Sequence, residues 1–285
     1  MINDLKFNDI KKIFPKRNKE SHKGLNGRVL VVGGSEFFHG APVLSALGAL
    51  NTGADLVYLM IPETDVNFVR AVYPDFIVNP FYGSHLDKKS VELILEMASG
   101  CDVILIGPGI GSSEDTQEAI LEIIKNLRIP TILDGEAIQV FQKIKDIPYQ
   151  PIVITPHHNE FENLTGKEIK IESSLSSKIV LIRTIATDLK LNILLKGPQD
   201  LIASEGGEVV SNVTGNAGMT VGGSGDVLSG FVASLIAQGA TTFEALKIAS
   251  FVFGKTGEAL FKEKGFCFSA SDLANELGFV IKGFY

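Results

Sequence analysis

The 285-residue chain has no tryptophan and only two cysteines, Cys101 and Cys267, which lie far apart and belong to no Cys-x-x-Cys or Cys/His cluster. That argues against a disulfide framework or a structural zinc site and fits a reducing compartment. Both thiols read as inert, since Cys267 sits between Phe266 and Phe268 and Cys101 precedes an apolar run. No apolar run approaches the ~18 residues of a membrane span. The polar, mixed-charge stretch from Met1 to Glu20 holds no signal-peptide core. The expectation is a cytoplasmic protein with no membrane partner. Excess positive charge is missing as well. With 26 Lys and Arg against 33 Asp and Glu, the formal net charge is -7, so no broad basic field exists to hold nucleic acid. What the chain has in surplus is glycine, 29 residues, about 10% against a usual ~7%. An acidic, glycine-rich protein must hold anions largely through backbone N–H groups.

Short β-branched runs at Val29–Val32, Leu56–Ile61, Val103–Ile106, Thr131–Leu133, Ile152–Ile154 and Ile193–Leu195 predict buried strands. Helical patterns fall between them at Pro42–Asn51, stopped by Gly53, at Glu114–Leu127 after a Ser112–Ser113 cap, and at Ser174–Leu189. This alternation predicts right-handed crossovers and a largely parallel sheet covered on both faces. After Leu195 the texture changes: Asp200–Ser204 and Glu208–Ser211 flank Glu205-Gly206-Gly207, a hairpin signal. A glycine-rich loop, Gly215–Gly225, then leads into three helices. The first carries Leu228, Phe231, Val232, Leu235 and Ile236 as one apolar stripe. No repeat or linker interrupts residues 1–285, so one domain is expected.

The polar residues fall at strand exits. Val32 runs into Gly33-Gly34, Ile106 into Gly107-Pro-Gly-Ile-Gly111, Leu133 into Asp134-Gly-Glu136, Ile154 into Thr155-Pro-His157 and Leu195 into Lys196-Gly197. If the strands are parallel, these exits share the sheet edge where α/β proteins bind ligands, and five of them make a long site.

The strongest signal is Asn216 through Gly230, in which Gly222, Gly223 and Gly225 precede an amphipathic helix. Loop amides and a helix N-terminus form an anion site without lysine, and Asp226 beside it can act as a general base in phosphoryl transfer. The competing reading makes Asp226 an N-cap and the glycines a turn; six glycines between Gly215 and Gly230 exceed what a cap needs. Gly107–Gly111 misses the dinucleotide fingerprint and reads either as a tight turn or as ligand contact. Thr155-Pro-His-His-Asn-Glu160 reads either as a helix start or as a metal site. His157, His158 and Glu160 are awkwardly spaced for zinc, whereas Glu160 ordering Mg²⁺ through water is easier. Lys196-Gly-Pro-Gln-Asp200 taken alone is a plain β-turn with a solvated lysine, although a lysine there can also meet phosphate. Ala249–Thr256 fits a relaxed P-loop pattern but lies inside the helical run Phe243–Leu260, so it is rejected. No nucleophile elbow appears, and His22, His39 and His85 have no evident serine partner.

Taken in order, Lys23–Ser35, Gly40-Ala41-Pro42, Gly107–Gly111, Thr155-Pro-His157, Glu160-Phe161, Leu195-Lys-Gly197 and Gly215–Gly230 closely resemble the ADP/ATP-dependent NAD(P)H-hydrate dehydratase family of the ribokinase-like superfamily, over about residues 20–280. The resemblance implies an α/β, three-layer αβα sandwich with a mostly parallel central sheet, and no epimerase domain ahead of it. It implies a lyase that moves a phosphoryl group from ADP or ATP to the 6-hydroxyl of hydrated NADH or NADPH; loss of phosphate then restores the dinucleotide. A small-molecule kinase on the same fold is the alternative. By resemblance Asp226 is the base, with Gly223, Ser224 and Gly225 in the anion hole. Ala41, Gly109, His157 and Asp226 would line the substrate site. Lys196, Gly197, Pro198, Gln199, Asp200, Asn216, Gly222 and Gly225 would hold the nucleotide, and Glu160 would place Mg²⁺. A homo-oligomer, by resemblance a tetramer, is implied. The chain departs from the family pattern at Asp134-Gly135-Glu136, Asn159 and Phe253.

Overall fold

A computed structural model describes residues 3–144, 150–167 and 174–285. After helix α1 (Phe7–Ile13), the chain alternates β1 (Arg28–Val32), α2 (Gly40–Leu50), β2 (Leu56–Pro62), α3 (Val66–Val72), β3 (Ile77–Phe81), α4 (Val91–Ala98), β4 (Val103–Ile106) and α5 (Glu114–Asn126). It continues through β5 (Thr131–Leu133), β6 (Ile152–Ile154), α6 (His158–Thr165), α7 (Leu175–Leu189) and β7 (Leu191–Leu195). The hairpin β8 (Asp200–Ala203) and β9 (Val209–Asn212) precedes α8 (Ser224–Ala237), α9 (Thr242–Lys264) and α10 (Ala270–Ile281).

The strands form one sheet of order β3-β2-β1-β4-β5-β6-β7-β8-β9. Strands β1 to β7 pair in parallel; β8 and β9 add to β7 antiparallel. Alternate strand residues serve opposite faces, as the period of two requires. Val29 and Val31 join the cluster under α2, α8, α9 and α10, while Leu30 and Val32 join the cluster under α4, α5 and α7. Burial on both faces is why the predicted strands read as continuous apolar runs.

Strand β3 escapes the sequence pattern because Asn79 and Pro80 interrupt it. Its place at the sheet edge tolerates a proline that cannot donate to a ladder. At the opposite edge the N-terminal segment covers β9, where Leu5 N–H donates to the Ser211 carbonyl at 2.9 Å. The stripe predicted on α8 is corrected: Val227 through Ile236 are all buried, because α8 lies between the sheet, α2 and α9. Cys101 is buried, and burial together with the nearby Asp102 carboxylate pushes its thiol up to about 12. Cys267, flanked by phenylalanines in sequence, is instead exposed.

The chain leaves β1 on one side for β2 and β3, then returns to β4 on the other side of β1. Such a reversal opens a crevice at the carboxyl ends of the two diverging strands. Gly33-Gly34 and Gly107–Gly111 stand there, with Gly34 N–H donating to the Pro108 carbonyl at 2.8 Å.

Candidate active site at the strand exits

The parallel pairing brings all five predicted exits to one sheet edge. In the crevice beside β1 and β4, Gly109 has φ +64° and packs against the backbone of Phe38 and the methyl of Ala41, leaving no room for a side chain. Ser35 Oγ donates to the Gly109 carbonyl at 2.8 Å, which clips the two loops together. Ala41 stands in the first turn of α2, which no side chain caps.

Further along the edge lies a cavity of about 640 Å³ lined by residues from four segments. His157, Lys196, Gly197, Pro198, Asp200, Asn216, Ser224 and Gly225 line it, while Gln199, Gly222, Gly223, Asp226 and Glu160 are outside its lining. Sequence alone does not mark Thr214, Met219, Leu228 or Ser250 as lining residues, and it marks Phe253 only as a departure from the family pattern. Ser250 and Phe253 sit inside a helix, where nothing local marks them. The rejected P-loop stretch does lie within α9; Gly254 is glycine because the Thr214 hydroxyl occupies the place of a Cβ.

The reacting end is built at the start of α8. Its N-cap is Gly223, with φ +91° and no side-chain cap, so Asp226 stands three residues in and is not itself the N-cap. Glycine is required there on two counts, the positive φ and contact with Leu44 and Ala270. Ser224 N–H is already used by the Val221 carbonyl at 3.2 Å. The next amides, of Gly225 and Asp226, belong to the first turn, where helix N–H groups find no partner within the helix. Burial pushes the Asp226 carboxyl up to about 7, aided by the Asp134, Glu136 and Glu160 charges and opposed by Lys196.

Lys196 is not a solvated turn lysine. Its ammonium lies 3.3 Å from Asp134 Oδ1 and 4.0 Å from Glu160 Oε2, with the side chain only 20% exposed. Burial alone would lower it, but Asp134, Glu160 and Asp226 outweigh that and keep it above its ordinary value.

His157 caps α6 in a reciprocal box. Its backbone N–H donates to Glu160 Oε2 at 2.8 Å, and Glu160 N–H donates to His157 Nδ1 at 3.2 Å. The helix-start reading of this motif is therefore right, and the same Glu160 also faces Lys196. Burial raises the Glu160 carboxyl, with Lys196 pulling the other way. The Asp200 carboxylate is turned inward: it accepts from Gly197 N–H at 3.0 Å and from Ser250 Oγ at 2.6 Å. It shapes the Lys196–Pro198 turn from behind. Among the described residues no group of three His, Cys, Asp or Glu side chains is arranged to hold a metal, and no helix is long and apolar enough to cross a membrane.

A parallel sheet between two helical layers, with a glycine-led helix and a buried carboxylate at its strand exits, defines a ribokinase-like α/β protein. A solved structure of ADP/ATP-dependent NAD(P)H-hydrate dehydratase from Bacillus subtilis, co-crystallised with ATP and Mg²⁺, superposes with a TM-score of 0.88 at 27% identity, covering 100% of this chain and 99% of that one. In sequence, a bifunctional NAD(P)H-hydrate repair enzyme of Pyrobaculum aerophilum is 40% identical over 268 residues, 93% of this chain and 52% of its own. An ADP-dependent (S)-NAD(P)H-hydrate dehydratase of Cenarchaeum symbiosum is 35% identical, over 97% of this chain and 96% of its own. The chain thus spans about half the length of the bifunctional relatives it matches. The NAD(P)H-hydrate dehydratase family matches residues 29–278, and the chain belongs to that family.

Proposed function

We propose that the chain is one catalytic domain that regenerates NADH or NADPH from its hydrate at the expense of ADP or ATP. The observation that carries the reading is Asp226, a carboxyl near neutrality in the first turn of an uncapped helix beside a cavity of about 640 Å³. An ionised Asp226 accepts the proton of the ring hydroxyl as that oxygen bonds the terminal phosphorus. The nucleotide leaves one phosphate shorter, and the Gly225 and Asp226 amides face the developing charge. The phosphorylated ring then loses phosphate together with a proton from the neighbouring carbon, restoring the double bond. The hydrate would lie from the Ala41–Gly109 crevice to Asp226 and His157, with the nucleotide in the cavity. The Asn216 amide nitrogen is buried at the cavity wall with no partner among the described residues, a donor left for the nucleotide. Gly222, Gly223, Pro198 and Gln199 would act through the turns they build.

The residues fit a magnesium ion that arrives with the nucleotide. Mg²⁺ commonly keeps its waters and takes one or two carboxylates alongside substrate phosphates, and Glu160, which lies behind the cavity-lining His157 and Lys196, would hold it through water. When bound, the ion neutralises charge on the transferring group. A cytoplasmic homo-oligomer, in line with a tetramer, completes the reading; exposed rings such as Phe68, Phe266 and Phe279 are available for subunit contacts. The negative net charge supports nucleotides, and not nucleic acid, as partners.

The test incubates the protein with hydrated NADH, Mg²⁺ and either ADP or ATP while NADH absorbance is followed. Recovery with one or both donors is expected. No recovery with either sinks the reading, and a stable phosphorylated product would mark a kinase.

A further inference from the structure

Lys196 is held differently from a lysine that only meets a nucleotide. Its ammonium lies 3.2 Å from where a Cβ on Gly225 would stand, against the first turn of α8. Helix amides there carry positive partial charge that opposes this placement, while the Asp226 charge in the same turn favours it. Asp134, at the end of β5 and 3% exposed, supplies the constraint. Its Oδ1 takes both the Lys196 ammonium at 3.3 Å and the Thr155 hydroxyl, from the end of β6, at 2.7 Å. The adjacent strand ends of β5, β6 and β7 thus contribute one residue each to a chain Thr155–Asp134–Lys196, spaced by the pairings β5–β6 and β6–β7. Neither Asp134 nor Thr155 lines the nucleotide cavity.

We propose that Asp134 is a positioning residue: with Thr155 it holds the Lys196 ammonium against the Gly225 turn, where the cation meets the phosphoryl group in transfer instead of the phosphates at rest in the cavity. The proposal rests on the phosphoryl-transfer reading above. A cation needed during transfer lowers kcat when misplaced, whereas one needed for binding raises KM.

The test is steady-state kinetics of the full chain with hydrated NADH, Mg²⁺ and the working nucleotide, for Asp134→Ala, Asp134→Asn, Lys196→Met, the Asp134→Ala/Lys196→Met pair and Thr155→Val. Crystal structures of the Asp134 variants and thermal denaturation of all of them accompany the kinetics. Asp134→Ala is expected to lower kcat ~100-fold with the nucleotide KM within ~3-fold of wild type. Asp134→Asn, which keeps the accepting oxygen, recovers ~10-fold of that loss. The double variant is within ~3-fold of Lys196→Met, since both changes disable one unit. In the crystals the ammonium leaves the Gly225 turn in Asp134→Ala and stays in Asp134→Asn. Losses that multiply, a raised KM with unchanged kcat, or restoration of Asp134→Ala by excess Mg²⁺ would each overturn the proposal, the last by assigning Asp134 to the metal. Wild type that fails to regenerate NADH ends the phosphoryl-transfer reading separately, and the ammonium position in the crystals still decides whether Asp134 holds it. Where Asp134→Ala does not fold, Thr155→Val is expected to lower kcat ~5-fold with the ammonium displaced; an unmoved ammonium and unchanged kcat would count against the chain.

Discussion

Asp226 combines a chemical advantage with a folding penalty. Its carboxyl is raised from 3.8 to about 7, so as a base it is increasingly available as pH rises through neutrality. The expected profile of kcat/KM climbs about tenfold per pH unit below that value and levels above it; a flat profile from pH 5 to 8 would contradict the assignment. The same shift costs stability. Below 3.8 the carboxyl is protonated whether folded or unfolded, and no penalty exists. Between 3.8 and about 7 only the unfolded chain releases its proton, so stability falls across that window and then stays level. The full penalty is on the order of 4 kcal/mol. Asp226→Asn is therefore expected to lower turnover by ~10³-fold or more with nucleotide binding retained. Chemical denaturation should show it more stable than wild type, by a margin that grows from pH 4 to 7. Equal stability at pH 8 would show that burial of this charge is not costly.

At the level of elements, the contact between α2 and α8 places the catalytic turn. A Cβ on Gly48 would strike the Val227 carbonyl, and one on Gly230 the Ser45 carbonyl. Both obstacles are backbone, so neither can rotate away. Gly230→Ala should cost about 3 kcal/mol or more by forcing the helices apart, and it should impair turnover because α8 carries Asp226. Urea denaturation and kcat measured on the surviving folded fraction separate the two effects. The glycines of this helix thus serve two purposes: Gly223 and Gly225 shape its exposed start, whereas Gly230 allows close packing. In sequence they look alike.

For the whole molecule, the acidic net charge of -7 is offset locally by the start of α8 and by Lys196. Binding of ADP or ATP with Mg²⁺ should therefore be visible as stabilisation, worth about 2.7 kcal/mol at a hundredfold excess over Kd, or roughly 5 °C in Tm for a chain of this size. A thermal shift with Mg²⁺-nucleotide that persists in Asp226→Asn is the expected result. No shift in wild type at that concentration would mean that the nucleotide does not bind, and would count against the nucleotide-dependent reading.

Much of this architecture follows from sequence alone. Val103–Ile106 and Ile152–Ile154 read as buried strands from their β-branched runs, and the hairpin about Gly206-Gly207 follows from local turn chemistry. The glycine-led approach to Asp226 pointed to an anion site because periodicity and backbone freedom are local properties. Other features are not local. Pro80 hid β3 until its edge position explained it. His157 and Glu160 form the helix cap, and the same Glu160 faces Lys196 across the fold, which local sequence does not show. Lys196 looked solvated until β5 and β7, sixty residues apart in the chain, brought it to Asp134. The sequence determined which residues could supply amides, a base and a cation, since these are properties of residue type and spacing. Only the tertiary structure decided that Asp226 is buried enough to titrate near neutrality and that Lys196 is paired, because burial and charge neighbours depend on strands joined by the fold.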